Sequence, residues 1–125
     1  MSFIEMALGE AKEKEVVPEG QYTLIVEDAE LIEEDGRGRV LVRLSIDGMP
    51  NAKSVFHSIS LTSPEDDPEK RNTKLLFAKA FCEAFDISFE ANGFALEDFP
   101  GSRGEVHLIQ DEYKGVVNNR IKLRV

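Results

Sequence analysis

Five stretches of the chain carry the pattern of β-strands, and two carry that of helices. Gln21 to Ile32 is rich in β-branched and aromatic residues, with Tyr22, Thr23, Ile25 and Val26 close together. Arg39 to Asp47 alternates: Val40, Val42, Leu44 and Ile46 face one way, and Arg39, Leu41, Arg43 and Ser45 the other. Ser54 to Leu61 does the same, with Val55, His57, Ile59 and Leu61 on one face and Ser54, Phe56, Ser58 and Ser60 on the other. Glu105 to Asp111 is a fourth strand. Asn119 to Val125 is a fifth, with Ile121, Leu123 and Val125 inward and Arg120, Lys122 and Arg124 outward. Asp35-Gly36-Arg37-Gly38, Asp47-Gly48-Met49-Pro50-Asn51 and Tyr113-Lys114-Gly115 are turns, since their glycines suit positive φ.

Leu75, Leu76, Ala80, Cys82 and Phe85 recur with a helical period and predict a helix over 69–86. Ser2 and Glu5 have capping-box spacing, and Phe3, Ile4, Ala7 and Leu8 share a helical face, which predicts a short helix over 3–14. Pro18-Glu19-Gly20 ends it. Residues 1–17 are thus expected as a helical, charged segment and 18–125 as the domain. The segment has two readings: a lid or tail of its own domain, or an interaction helix for a partner or a second copy. Three turn-linked strands, a helix and two more strands are the order of the OB-fold. The expected class is mainly β, a five-stranded OB-fold barrel with one helix between strands three and four and a short N-terminal helix.

The 125 residues suit one domain with a sizeable core. No apolar run is long enough for a membrane helix, so no membrane partner is expected. No basic stretch followed by an apolar one opens the chain, and Cys82 is the single cysteine; both point to a reducing, cytoplasmic setting. The net charge of −9 is unevenly spread. Residues 1–36 hold 11 acidic and 2 basic side chains and residues 62–99 hold 9 and 4, whereas 37–61 hold 1 and 4 and 100–125 hold 3 and 5. Two positive segments, both strands, therefore sit inside an acidic protein, whose acids are expected in the helix, the loops and the N-terminal part.

Those strands carry the candidate chemistry. In the OB order, ligands lie across the second and third strands. The outer faces there offer Arg39 and Arg43, then Phe56 among small serines. An exposed ring stacks on any base for ~1–3 kcal/mol, and guanidinium groups take phosphates as bidentate donors. Arg37 in the turn and Lys53 before the third strand extend the rail. Arg120, Lys122 and Arg124 add a cationic stripe, for which solubility and edge protection is the competing reading. Tyr113 and Lys114 offer a second stacking site. The acids of residues 27–35 are read as a solvated hairpin end, with competition for the basic groove or recruitment of partner proteins as the sharper alternative.

Other chemistries find no support in the pattern. His57 falls on an inward face, His107 is distant from Cys82, and these spacings make no zinc site. Asp66-Asp67 and Asp111-Glu112 are adjacent carboxylates that diverge. Gly36-Arg37-Gly38 lacks the helix that a phosphate loop needs. No catalytic residues, metal or cofactor are expected.

Gly20-Gln21-Tyr22 with Val26 and Ala29-Glu30, Asp47-Gly48, the Phe77–Phe85 helix, and Glu112-Tyr113-Lys114-Gly115 followed by Asn119 and Ile121 together resemble a family of small phage-encoded OB-fold single-stranded-DNA-binding proteins. The resemblance runs over residues 18–125. It implies sequence-independent, non-catalytic binding of single-stranded DNA in phage replication or recombination, inside the infected host cell, with replication or recombination proteins as further partners. The alternative is a non-catalytic protein-interaction or virion-assembly module on the same barrel, with a second copy of the chain as one candidate partner.

Overall fold

The computed structural model of the chain describes residues 2–125. In chain order its elements are β1 (Gly20–Glu34), β2 (Arg37–Ile46), β3 (Val55–Ser60), α1 (Pro68–Ala84), the two-residue strands β4 (Phe89–Glu90) and β5 (Gly93–Phe94), β6 (Arg103–Tyr113) and β7 (Val116–Lys122). One antiparallel sheet holds five strands in the order β3-β2-β1-β6-β7. The fold is mainly β with one α-helix between the third and fourth sheet strands, as the sequence pattern predicts. The 87–103 stretch, irregular in the sequence, contains the β4–β5 hairpin and a 3₁₀ turn at Leu96–Asp98.

The sheet does not close into the expected barrel. Its edges, β3 and β7, come within 8 Å between Cα atoms, but no ladder joins them among the described residues. It is a coiled sheet with an open seam. Its concave face carries the core: Leu24 and Val26 of β1, Val40, Val42 and Leu44 of β2, Val55 and Ile59 of β3, Val106 and Leu108 of β6, and Ile121 of β7. A register shift between Val26 and Asp28 inserts Glu27 as an extra residue opposite β2. That bulge turns Ala29 inward and leaves Asp28 and Glu30 outward.

Helix α1 plugs the open side of this face. Asp67 caps it, its carboxylate accepting from the Lys70 amide at 2.8 Å, and Pro68 begins it without a wasted donor. Only its C-terminal half is inserted: Phe81, Cys82 and the following Phe85 are buried, and Phe81 stacks on His57, Phe85 and Phe99. Gly104 of β6 permits the close approach, since a Cβ there would lie 2.3 Å from the Ala84 carbonyl oxygen.

The N-terminal helix predicted over 3–14 does not form. Residues 2–14 are extended and exposed, with a single 3₁₀ turn at Leu8–Glu10. The physical reason is length: a lone helix of about 12 residues is marginal in water without a surface to bury its apolar face. The chain first engages the domain at Glu15, whose amide donates to the Asn51 carbonyl at 2.9 Å and whose carbonyl accepts from the Lys53 amide at 2.8 Å. Two residues on, Val17 is buried. Its amide donates to Asn119 Oδ1 at 2.8 Å, and its carbonyl accepts from Asn119 Nδ2 and Gln110 Nε2, each at 2.9 Å. Residues 15–17 thus tie the β2–β3 connection to the β6–β7 hairpin.

Candidate nucleic-acid interface

The β2–β3 ladder decides which predicted residues meet. Arg43 lies directly across from Phe56, Leu41 from Ser58, and Arg39 from Ser60. All six project from the convex face, because their neighbours Val40, Val42, Val55 and Ile59 fill the core. Phe56 is 53% exposed, an open ring rather than a core residue. Arg39 Nη1 donates to Ser58 Oγ at 2.9 Å, which holds its guanidinium over the third strand. Directly opposed side chains are about 5 Å apart, so the ring, two guanidinium groups and three small or apolar side chains form one patch.

That patch continues toward the β1–β2 turn. A groove of about 830 Å³ is lined there by Arg37, Arg39 and Ser60 on the sheet side and by Lys70 and Lys74 of α1 on the other. Glu34, Asp35, Glu65 and Asp66 also line it, so the groove is mixed in sign. Asp66 is locked: its carboxylate accepts from Lys74 Nζ at 3.0 Å and from the Ser63 amide at 2.8 Å, and only 4% of the side chain reaches solvent. The Ser63 amide and the Lys74 ammonium hold its carboxyl below the usual carboxylate range. This knot pins the 61–67 loop beside the groove.

The acids of the N-terminal part lie on β1, directly beside the cationic second strand. Asp28, Glu30, Ile32 and Glu34 of β1 stand beside Arg43, Leu41, Arg39 and Arg37. Arg43 donates from Nε and Nη2 to Asp28 Oδ2, at 3.0 and 2.8 Å. The pair is exposed, so it is worth only ~0.2–1 kcal/mol and a phosphate can compete for the guanidinium. The signal for this arrangement was the Glu27-Asp28 doublet. It breaks the alternation of the first strand where the bulge falls.

The other predicted residues lie apart from the patch. Arg120 donates from Nε to Asp111 Oδ2 at 3.0 Å, so it too has a carboxylate partner. Lys122 ends β7, and Arg124 lies beyond the strand rather than within it. These two line a second groove, of about 420 Å³, with Gln21, Glu105, His107 and two alanines of α1. Tyr113 is 73% exposed on the β6–β7 turn, with Lys114 Nζ 5.3 Å from its ring centre. Since β6 runs past Gly20 while β1 ends at the other turn, this hairpin projects from the end of the sheet opposite Arg37. Lys53 is half-buried where its amide donates to the Glu15 carbonyl. Among the described residues, Arg37, Arg39, Lys53, Lys114, Lys122 and Arg124 have no carboxylate within 4.0 Å.

His57 lies inward, stacked on Phe81 with ring centres 4.9 Å apart, and burial lowers its pKa from 6.5 to about 4. Burial and the neighbouring Glu83 push the Cys82 thiol up. Among the described residues no three His, Cys, Asp or Glu side chains gather as metal ligands, and no helix is long and apolar enough to cross a membrane. The chain matches no protein-family model and no curated protein.

Proposed function

We propose that the protein binds single-stranded DNA without sequence preference, on the convex face of β2 and β3, as an OB-fold whose β3–β7 seam is open. The observation that carries this reading is the register that sets the exposed Phe56 ring directly across from Arg43, with Arg39, Leu41, Ser58 and Ser60 on the same face. The ring stacks on a base of any identity, while Arg43, Arg39 and Arg37 follow the phosphates. Successive outward residues of a strand are about 6.6 Å apart, close to the spacing of phosphates in a single strand, so Arg37 and Arg39 stand one such step apart and Arg39 and Arg43, with Leu41 between them, two. Lys122 and Arg124 form a separate cationic surface, apart from this patch. The resemblance to phage single-strand binders points the same way, and would give the protein a role in phage replication or recombination within the host cell.

Fluorescence anisotropy with labelled oligo-dT at two salt concentrations tests the proposal. Binding that weakens as salt rises is expected; no binding at low salt overturns it. Phe56→Ala should weaken oligo-dT, oligo-dA and mixed sequences by similar factors, ~1–3 kcal/mol each. A loss confined to one sequence would overturn the stacking role.

A further inference from the structure

The extended N-terminal arm holds exposed apolar side chains that the proposed function does not use. Phe3, Ile4, Met6 and Leu8 are between 71% and 90% exposed. Four large apolar side chains within six residues, free of the domain, mark an interaction surface rather than scattered exposure. The same stretch has the Ser2/Glu5 spacing of a capping box, and Phe3, Ile4, Ala7, Leu8 and Ala11 fall on one helical face. It has the pattern of an amphipathic helix that lacks only something to bury against.

The sheet offers it no place. A strand added in the β3–β7 seam needs the edges about 9.6 Å apart, two strand spacings, and they lie within 8 Å. The edge of β1 beyond Ile25 is free of β6, but it carries Asp28, Glu30, Glu33 and Glu34, which repel Glu5 and Glu10 of the arm. Helix α1 offers the complement. Leu75, Leu76 and Phe77 stay more than two-fifths exposed on its uninserted half, and Leu76 and Phe77 share a flank with Ala80. The helix carries four basic and two acidic residues, against two acidic and no basic residues over 2–11. Lys70 and Lys74 are held by Asp66, whereas Arg71 has no carboxylate within 4.0 Å among the described residues.

We infer that the protein self-associates by arm exchange: residues 2–11 of one copy coil into a helix against the Leu76/Phe77 flank of α1 in a second copy, and the second copy returns the contact. From the anchor at Glu15, residues 12–14 supply about 10 Å of extended reach, enough to leave the parent domain.

Light scattering after size exclusion, over a concentration series, reads the mass, and far-ultraviolet circular dichroism reads helix. The wild type should move from one to two chains as concentration rises, gaining helical signal in parallel. Ile4→Asp and, separately, Leu76→Asp should each leave monomers with the β signal intact, and neither residue lies in the core. Mixing the two variants should restore a dimer, because one intact arm still meets one intact helix. A wild type that stays monomeric to millimolar concentration overturns the inference. So does a dimer that survives Ile4→Asp, or one that Leu76→Asp leaves unchanged.

Discussion

Asn119 shows how much one side chain carries. It is the single buried polar residue among the described ones, and all its hydrogen-bonding capacity faces Val17 and Ile109. Its amide imitates a strand by pairing with both backbone groups of Val17. Asn119→Ala strands the Val17 amide in the interior and leaves its carbonyl with Gln110 alone, so a loss of about 1–3 kcal/mol is expected in urea denaturation. Asn119→Asp should not rescue it, since a carboxylate cannot donate to the Val17 carbonyl. The partners lie 102 positions apart, which is why the sequence reveals no such tie. His57 makes the second residue-scale prediction. Its neutral form is favoured in the fold, with the pKa lowered from 6.5 to about 4 by burial. The unfolded chain therefore takes up this proton first as pH falls. Stability is full above pH 6.5 and declines toward pH 4, by up to about 3 kcal/mol. His57→Phe, which keeps a ring against Phe81, should flatten melting temperature between pH 7 and 4.5. Asp66, with its depressed pKa, acts in a different window: its contribution is lost only as pH falls below the ordinary carboxylate range.

Elements differ in how far local pattern determines them. β2 and β3 follow the period-two reading residue by residue, because each has one face in the core and one in solvent. β1 does not, because the bulge at Glu27 switches the face halfway along, and the sequence marks it only with paired acids. The β4–β5 hairpin is too short to have a period. Helix α1 follows its rhythm, but the rhythm does not say that only half of it is inserted. Docking depends on Gly104, which no helical pattern identifies. A methyl group there meets the Ala84 carbonyl at 2.3 Å and the Phe85 ring at 3.0 Å. Gly104→Ala should push α1 outward and cost about 1–3 kcal/mol. Thermal unfolding measures that cost, and faster amide exchange along Phe81–Phe85 would locate it.

At the scale of the whole molecule, the problem is how a chain of net charge −9 would hold a polyanion. The global field opposes association, so binding rests on local charge within about a Debye length, roughly 8 Å at physiological salt. The sequence makes the cationic strands legible but not their company, because which acid faces which arginine is set by register. In the fold, Asp28 sits on Arg43 and Asp111 on Arg120, while Arg37 and Arg39 have no ion-pair partner among the described residues. If the convex face of β2 and β3 takes phosphates, Asp28 is their competitor. A phosphate at Arg43 must first displace the carboxylate, which weakens binding and lowers the number of counterions released per complex. Asp28→Asn removes the competing charge and keeps the strand's shape. It should tighten oligo-dT binding several-fold at low salt and steepen the dependence of affinity on salt by up to about one counterion. Arg43→Glu should do the reverse, flattening the slope. Anisotropy titrations over a salt series distinguish this from a purely structural pair: if Asp28 only braced the bulge, Asp28→Asn would lower thermal stability and leave the slope unchanged.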